Sequence, residues 1–253
     1  MSELTNKIVL VTGASSGIGR ATAIRFSDAG ARLIVAARRE DRLKQLAKEL
    51  KTDCYVMALS VRDRLAVEKT LGSLPKEWQA IDILVNNAGL SRDLSKLHEG
   101  RHDSWEDMID TNVKGLLWVS RAVIPGMVAR GRGHVINVGS IAGHEVYPGG
   151  NVYCASKFAV DALTKGMRMD LVDTPVRVTT VDPGMVETEF SEVRFYGDKE
   201  RAKKVYTGIT PLTADDIADA IVWAATRPDN VQIAQIVIMP KAQASTMVSF
   251  RKT

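Results

Sequence analysis

Tyr153 and Lys157 stand four residues apart in "YCASK". On a helix that spacing puts both side chains on one face, about one turn apart, so they can approach a common ligand. The chemistry open to such a pair is proton transfer. A free phenol has a pKa near 10 and is a poor base at neutral pH, and a nearby ammonium favours its phenolate form. Solvated helix faces carry the same spacing, so the rest of the chain must choose between the two readings.

A second stretch offers ligand chemistry. "TGASSGIG" (12–19) places Gly13, Gly17 and Gly19 after an apolar run and before the helical stretch "RATAIRFSDAG". Glycines there let the backbone turn tightly and approach a pyrophosphate, whose charge the free N–H groups and positive end of a helix favour. The spacing, Gly-x-x-x-Gly-x-Gly, departs from the commonest dinucleotide fingerprint, and a plain structural turn would read the same way. After the second apolar run, "VAARRED" has no acid at Ala36 or Ala37, where a chain that binds NAD often holds the ribose hydroxyls. Arg38 and Arg39 follow instead, with guanidinium forks suited to a ribose 2′-phosphate. Cations sit badly at a helix start, so a merely solvated pair needs another reason. The expected cofactor is NADP(H).

These residues need a scaffold, and the hydrophobic pattern supplies one. Short β-branched runs at 7–13, 32–37, 54–60, 81–89, 134–140, 176–181 and 232–239 read as buried strands. Between them, Leu43, Leu46, Ala47 and Leu50 recur at helical period, as do Ile217, Ala220, Ile221 and Ala224. Strands alternating with helices make a parallel sheet. With 253 residues and no linker or repeat, the expectation is one α/β domain over 1–253, about seven strands with helices on both faces.

Composition narrows the function classes. Hydrophobic residues make up 45% and charged residues 25%, ordinary values for a globular chain. The net charge is +4, but the 34 basic and 30 acidic residues are interspersed, which argues against a nucleic-acid partner. Cys54 and Cys154 have no paired spacing and read as reduced thiols, and His98, His102, His134 and His144 show no ligand spacing, so no metal is expected. "MSELTNKIVLVTG" lacks the order of a signal peptide, and no apolar run approaches the roughly 18 residues of a membrane span. The expectation is a cytoplasmic protein with no membrane partner.

Taken in order, "TGASSGIG", "NNAG" (86–89), Asn112, Ser140, "YCASK" and "DPG" (182–184) resemble the short-chain dehydrogenase/reductase family along essentially the whole chain. The resemblance implies a single doubly wound Rossmann domain, a homotetramer or homodimer, that moves a hydride between nicotinamide and a carbonyl or alcohol carbon. It implies a catalytic set of Asn112, Ser140, Tyr153 and Lys157. Tyr153 would be the general acid/base. Lys157 would supply its cation and hold the nicotinamide ribose, and Ser140 would donate to the substrate oxygen. Asn112 would anchor a water leading from Lys157, unless its amide only satisfies backbone groups. Cofactor contacts are implied for Gly13, Ser15, Ser16, Gly17, Ile18 and Gly19, for Arg38 and Arg39, and for Asn87, Ala88 and Gly89. Tyr153, Lys157, Pro183, Gly184, Val186 and Thr188 join them, with Met185 beside the last three. Asn86 would bond across to the neighbouring strand. Ser60 and Val61 are implied beside the adenine, with one departure: they replace the family's frequent Asp-Val, which puts the aspartate's adenine contact in doubt, although Asp63 is close by.

Within the family, "GMVETEFSEVRFYGDKERAKKVY" (184–206), together with "MIDTN", "RAVIPGMV" and "YPGGNVY", resembles the NADP-dependent 3-hydroxy acid dehydrogenase branch, whose members act on serine, allo-threonine, 3-hydroxypropionate and malonic semialdehyde. A small anionic carbonyl or alcohol needs a cation in its pocket. In the expected lid at about 185–207, Arg194 is the candidate, with Tyr147 as a hydrogen-bond donor beside Ser140 and Tyr153. Arg194 pairing with Glu187 or Glu192 on the surface is the competing reading. A sulfonate such as sulfoacetaldehyde would suit the same clamp. A carrier-linked 3-oxoacyl chain, or a catalytically silent NADP-sensing protein, would use the same fold. The tail at about 240–253 either helps close a neighbour's pocket or has no fixed course.

Overall fold

The computed structural model describes residues 4–252, so residues 1–3 and 253 of the expected span lie outside the description. In chain order its strands are β1 (Ile8–Thr12), β2 (Arg32–Ala37), β3 (Cys54–Ala58), β4 (Ile81–Asn86), β5 (Gly133–Val138), β6 (Val176–Pro183) and β7 (Gln235–Ile238). The principal helices are α1 (Gly17–Asp28), α2 (Glu40–Glu49), α3 (Arg64–Gly72), α4 (His102–Ile109), α5 (Gly115–Arg130), α6 (Asn151–Asp170), α7 (Phe190–Arg194), α8 (Lys199–Lys204) and α9 (Ala214–Ala225). All strands pair in parallel in one sheet of order β3-β2-β1-β4-β5-β6-β7, the doubly wound Rossmann arrangement.

Strand side chains alternate between faces, so each central strand must be apolar on both sides to be buried. In β1, Val9 and Val11 pack with Phe26 of α1, Leu43 and Leu46 of α2, and Ile217 and Ile221 of α9. Ile8 and Leu10 join the opposite layer, with Val67 and Leu71 of α3 and Val119, Val123 and Met127 of α5. Burying one such side chain is worth about 1.5–3 kcal/mol, which is what fixes the helices to their faces.

Most strands are shorter than the apolar runs, while β2 matches its run and β6 extends past it to Pro183. β3 stops at Ala58 and β4 at Asn86, because the residues that follow form the loops over the carboxyl edge. The expectation of a buried run at 232–239 is corrected: β7 covers only Gln235–Ile238 and alternates exposed with half-buried residues. It is an edge strand with a neighbour on one side only. Between α4 and α5, Asp110–Lys114 forms a wide π turn that carries Asn112. Such turns are found mostly as local bulges, often at functional sites.

Candidate active site

Strand order reverses between β1 and β4, and a cleft of about 480 Å³ opens beyond the carboxyl ends of the strands there. Gly13, Asn87, Ser140 and Gly184, each from a different turn, meet Tyr153 and Lys157 of α6 along its wall.

The glycine turn is locked to the end of β4. The Thr12 hydroxyl accepts from the backbone N–H of Asn87 at 3.1 Å and of Ala88 at 3.0 Å. The Asn87 amide donates to the Thr12 carbonyl at 2.9 Å. Asn86 donates to Asn137 on β5 and to Ser120 on α5, each at 2.9 Å, so it does bond across to the neighbouring strand. A Cβ on Gly19 would fall 2.4 Å from Asn87 Nδ2 and 2.5 Å from the Gly13 carbonyl. Gly19→Ala is therefore expected to cost about 1–3 kcal/mol in urea denaturation, because backbone on one side leaves it nowhere to go.

Above this turn, α1 begins with no acid in its first turn and no side chain capping its amino end. Its N–H groups are left for a ligand, and an anionic pyrophosphate suits them. Arg39 reaches back over the turn, donating to Ser16 Oγ at 2.8 Å and Ser15 Oγ at 3.1 Å. Its remaining fork meets Glu189 at 3.0 Å, and Arg42 Nη1 meets the other Glu189 oxygen at 2.6 Å. The residues present thus fit a cofactor with an extra phosphate on its ribose: a carboxylate already occupies an anion seat between two arginines.

The other expected cofactor residues divide. Pro183, Val186 and Thr188 line the cleft with Ser16, Gly17, Ile18 and Gly89. Arg38, Ser60 and Val61 do not. Arg38 is exposed, and Val61 is buried against Gly115, where a Cβ would fall 2.6 Å from it. Asp63 spends its carboxylate capping α3, accepting from Ala66 N at 3.0 Å. Arg42 and Glu189 were not anticipated; the one available signal was that Arg42 follows Arg39 by a single helical turn.

Tyr153 and Lys157 project from α6 into the same cleft, 8% and 7% exposed. Lys157 Nζ donates to the Val138 carbonyl at 2.9 Å and stands 5.9 Å from the Tyr153 ring centre. Burial lowers its pKa to about 8, with Asp182 pulling the other way. Burial likewise pushes the Tyr153 phenol up, opposed by the Arg194 guanidinium and then the Ser140 hydroxyl. Two cations thus flank the phenol, the expected Lys157 at 5.9 Å from the ring centre and Arg194 of the lid at 5.5 Å. Ser140 caps the short turn after β5, accepting from Ala142 N at 3.1 Å. Asn112 is fully engaged: its amide donates to the Leu90 carbonyl at 2.8 Å and Ser156 Oγ at 2.9 Å, and accepts from Leu90 N at 2.8 Å.

Over the opening lies a helical segment, α7 and α8. Phe190 meets the Tyr153 ring edge-on at 5.6 Å. The Arg194 guanidinium stacks 5.0 Å from the Phe190 ring and 5.5 Å from the Tyr153 ring, and donates to Tyr147 Oη at 3.3 Å. No carboxylate of the described residues pairs with it, Glu187 and Glu192 included, and its buried Nε has no hydrogen-bond partner. The tail lies across the mouth of its own chain's cleft. Gln243 accepts from Met185 N at 2.8 Å, Thr246 N donates to Glu145 at 3.0 Å, and Arg251 donates to the Val205 carbonyl at 3.0 Å.

A proton donor, a buried ammonium, a glycine turn for a pyrophosphate and a guanidinium beside the donor can serve proton-coupled reduction of a carbonyl. Comparisons with known proteins agree. The short chain dehydrogenase family model matches residues 7–197. An NADP-dependent 3-hydroxy acid dehydrogenase of Escherichia coli K12 is 48% identical over 94% of this chain and 96% of its own. One of Schizosaccharomyces pombe is 44% identical over 100% and 99%. The closed form of serine dehydrogenase complexed with NADP+ superposes with a TM-score of 0.93 at 46% identity, covering 97% of this chain and 100% of that one. Serine dehydrogenase from Escherichia coli gives 0.83 at 43% identity, covering 94% and 99%.

Proposed function

The chain belongs to the short-chain dehydrogenase family, and from that premise we propose that it interconverts a small anionic 3-oxo acid and the matching 3-hydroxy acid. It is an oxidoreductase, and its cofactor is NADP(H). Arg194 carries the choice of substrate. A guanidinium with a buried, unpartnered N–H beside the proton donor calls for an anion. The short reach between them selects a substrate whose charged group is a carbon or two from its carbonyl, of the malonic semialdehyde, serine or allo-threonine type. Phe190 lies edge-on to the Tyr153 ring beside this guanidinium, an apolar wall next to a single cation that suits a small acid better than a carrier-linked chain.

The bound cofactor supplies the hydride. Tyr153 gives the substrate oxygen its proton, and the adjacent Ser140 hydroxyl orients that oxygen. Lys157 holds the cofactor's ribose hydroxyls and keeps positive charge beside the phenol. Because burial holds the Tyr153 proton on at neutral pH, carbonyl reduction is ready there, whereas alcohol oxidation requires the phenol to ionise first. The proposed setting is the cytoplasm, as a homotetramer or homodimer.

The test follows NADPH absorbance at 340 nm with malonic semialdehyde, sulfoacetaldehyde and the neutral methyl ester of the first. Arg194→Met is expected to raise KM for malonic semialdehyde about 10- to 100-fold and to leave the ester little changed, as the loss of a hydrogen bond to a charged group predicts. Faster turnover of sulfoacetaldehyde would move the substrate to sulfonates with the same clamp. Turnover of the ester alone would remove the clamp.

A further inference from the structure

The cofactor end of the cleft holds a carboxylate where an anion of the ligand would be expected. Glu189 is contributed by the first residues of the lid segment, immediately after Thr188, whose side chain comes within 3.3 Å of a Cβ position on Gly17. Its two oxygens are divided between the arginines, Oε2 to Arg39 Nη1 at 3.0 Å and Oε1 to Arg42 Nη1 at 2.6 Å. Arg39 has no idle edge: its other nitrogens donate to Ser15 and Ser16. One Nη1 N–H is left over, so a 2′-phosphate can take a two-pronged hold on this guanidinium only by displacing a partner, and the serines come from the glycine turn that the pyrophosphate itself needs in place. That leaves Glu189.

The charges point the same way. Two guanidiniums facing one carboxylate present a net single positive charge, whereas without the carboxylate they present two to a phosphate dianion. All three side chains are about 40% exposed, so water and ligand can reach the seat and exchange across it. Burial works against the Glu189 charge, and the hydrogen bonds and charges of Arg39 and Arg42 outweigh it, so the carboxylate is held ionised.

Resting on the NADP reading above, we propose that Glu189 is a built-in competitor for the cofactor's 2′-phosphate, occupying Arg39 and Arg42 until the phosphate takes them, and so sets how strongly NADP(H) is bound. Arg42 thereby becomes the second half of the phosphate seat, and Glu189 a determinant of cofactor specificity contributed by the lid. Cofactor binding releases the first turn of the lid from α2.

The seat can be titrated without any chemistry at the nicotinamide. Calorimetric binding of 2′,5′-ADP and 5′-AMP is compared for the unaltered protein, Glu189→Gln, Arg39→Met and the double variant Arg39→Met/Glu189→Gln. Glu189→Gln is expected to tighten 2′,5′-ADP about three- to tenfold, the scale of two half-exposed ion pairs, and to leave 5′-AMP unchanged. In the Arg39→Met background the gain from Glu189→Gln should shrink, since part of what Glu189 blocks is already gone. Unchanged or weaker 2′,5′-ADP binding by Glu189→Gln would overturn the proposal and leave Glu189 as an aid that orients the arginines. An unaltered protein that binds 2′,5′-ADP no more tightly than 5′-AMP would instead remove the NADP reading on which the proposal stands.

Discussion

Tyr153→Phe is expected to lower kcat for carbonyl reduction by about 10²- to 10⁴-fold, the range for loss of a positioned general acid, while NADPH binding stays within about threefold by fluorescence titration. The substitution removes one oxygen and keeps the ring, and the ring does the packing here: it meets Phe190 edge-on at 5.6 Å and belongs to a cluster with Leu90, Met108 and Cys154. Fold and lid contacts therefore survive, and what disappears is the proton. The pH profile separates this from a general loss of order. Because burial raises the phenol's pKa, reduction by the unaltered protein should be flat through neutral pH and fall only as the phenol ionises, whereas oxidation of the alcohol should climb with pH. The residual rate of Tyr153→Phe should show neither limb. A variant that keeps near-normal turnover would move the proton donor elsewhere, with Ser140 the next group at hand.

Much of this site was legible in the sequence, for a reason that differs from residue to residue. Gly13, Gly19 and Asn87 could be read because one turn has to satisfy backbone geometry and leave room for a ligand at once, and few residue types manage both, whereas the Thr12 hydroxyl that locks the turn was not singled out. Tyr153 and Lys157 could be placed on one face because helical spacing is local. Contacts that join distant segments were not local and left little trace. Arg42 meets Glu189 across 147 positions, and only the folded lid brings the carboxylate to α2. The open choice at Arg194 turned on which of several nearby groups it faces, and the fold decided for aromatic rings and Tyr147 over Glu187 and Glu192. A second cation near Tyr153 was missed for the same reason. Spacing brings Lys157 beside it, whereas Arg194 arrives from a lid that periodicity does not describe. The edge strand β7 was misread as buried because an apolar run looks alike with one neighbouring strand or two.

Lys157→Met should remove most activity and yet make the protein more stable at pH 7, by roughly 2 kcal/mol. The ammonium is almost entirely buried, and its one hydrogen bond runs to the Val138 carbonyl. Its pKa falls from 10.5 to about 8 in the fold, with burial as the leading cause. At about 1.4 kcal/mol per pH unit, the fall from 10.5 to about 8 is a cost of about 3 kcal/mol to the folded state wherever the lysine is charged in both states. The lost hydrogen bond returns about 1 kcal/mol of that cost. The sign follows from proton counting. Below about pH 8 both states hold the proton and the full cost applies; between about 8 and 10.5 the unfolded chain still binds it and the folded protein does not, so stability rises with pH. Urea unfolding across that window should show the rise in the unaltered protein and its absence in Lys157→Met. Higher stability of the variant at pH 7, with a flat profile and little turnover, would mark Lys157 as a group kept for function at the fold's cost. Lower stability of the variant at every pH would show that the ammonium is a structural strut, and that Asp182 compensates its burial in full.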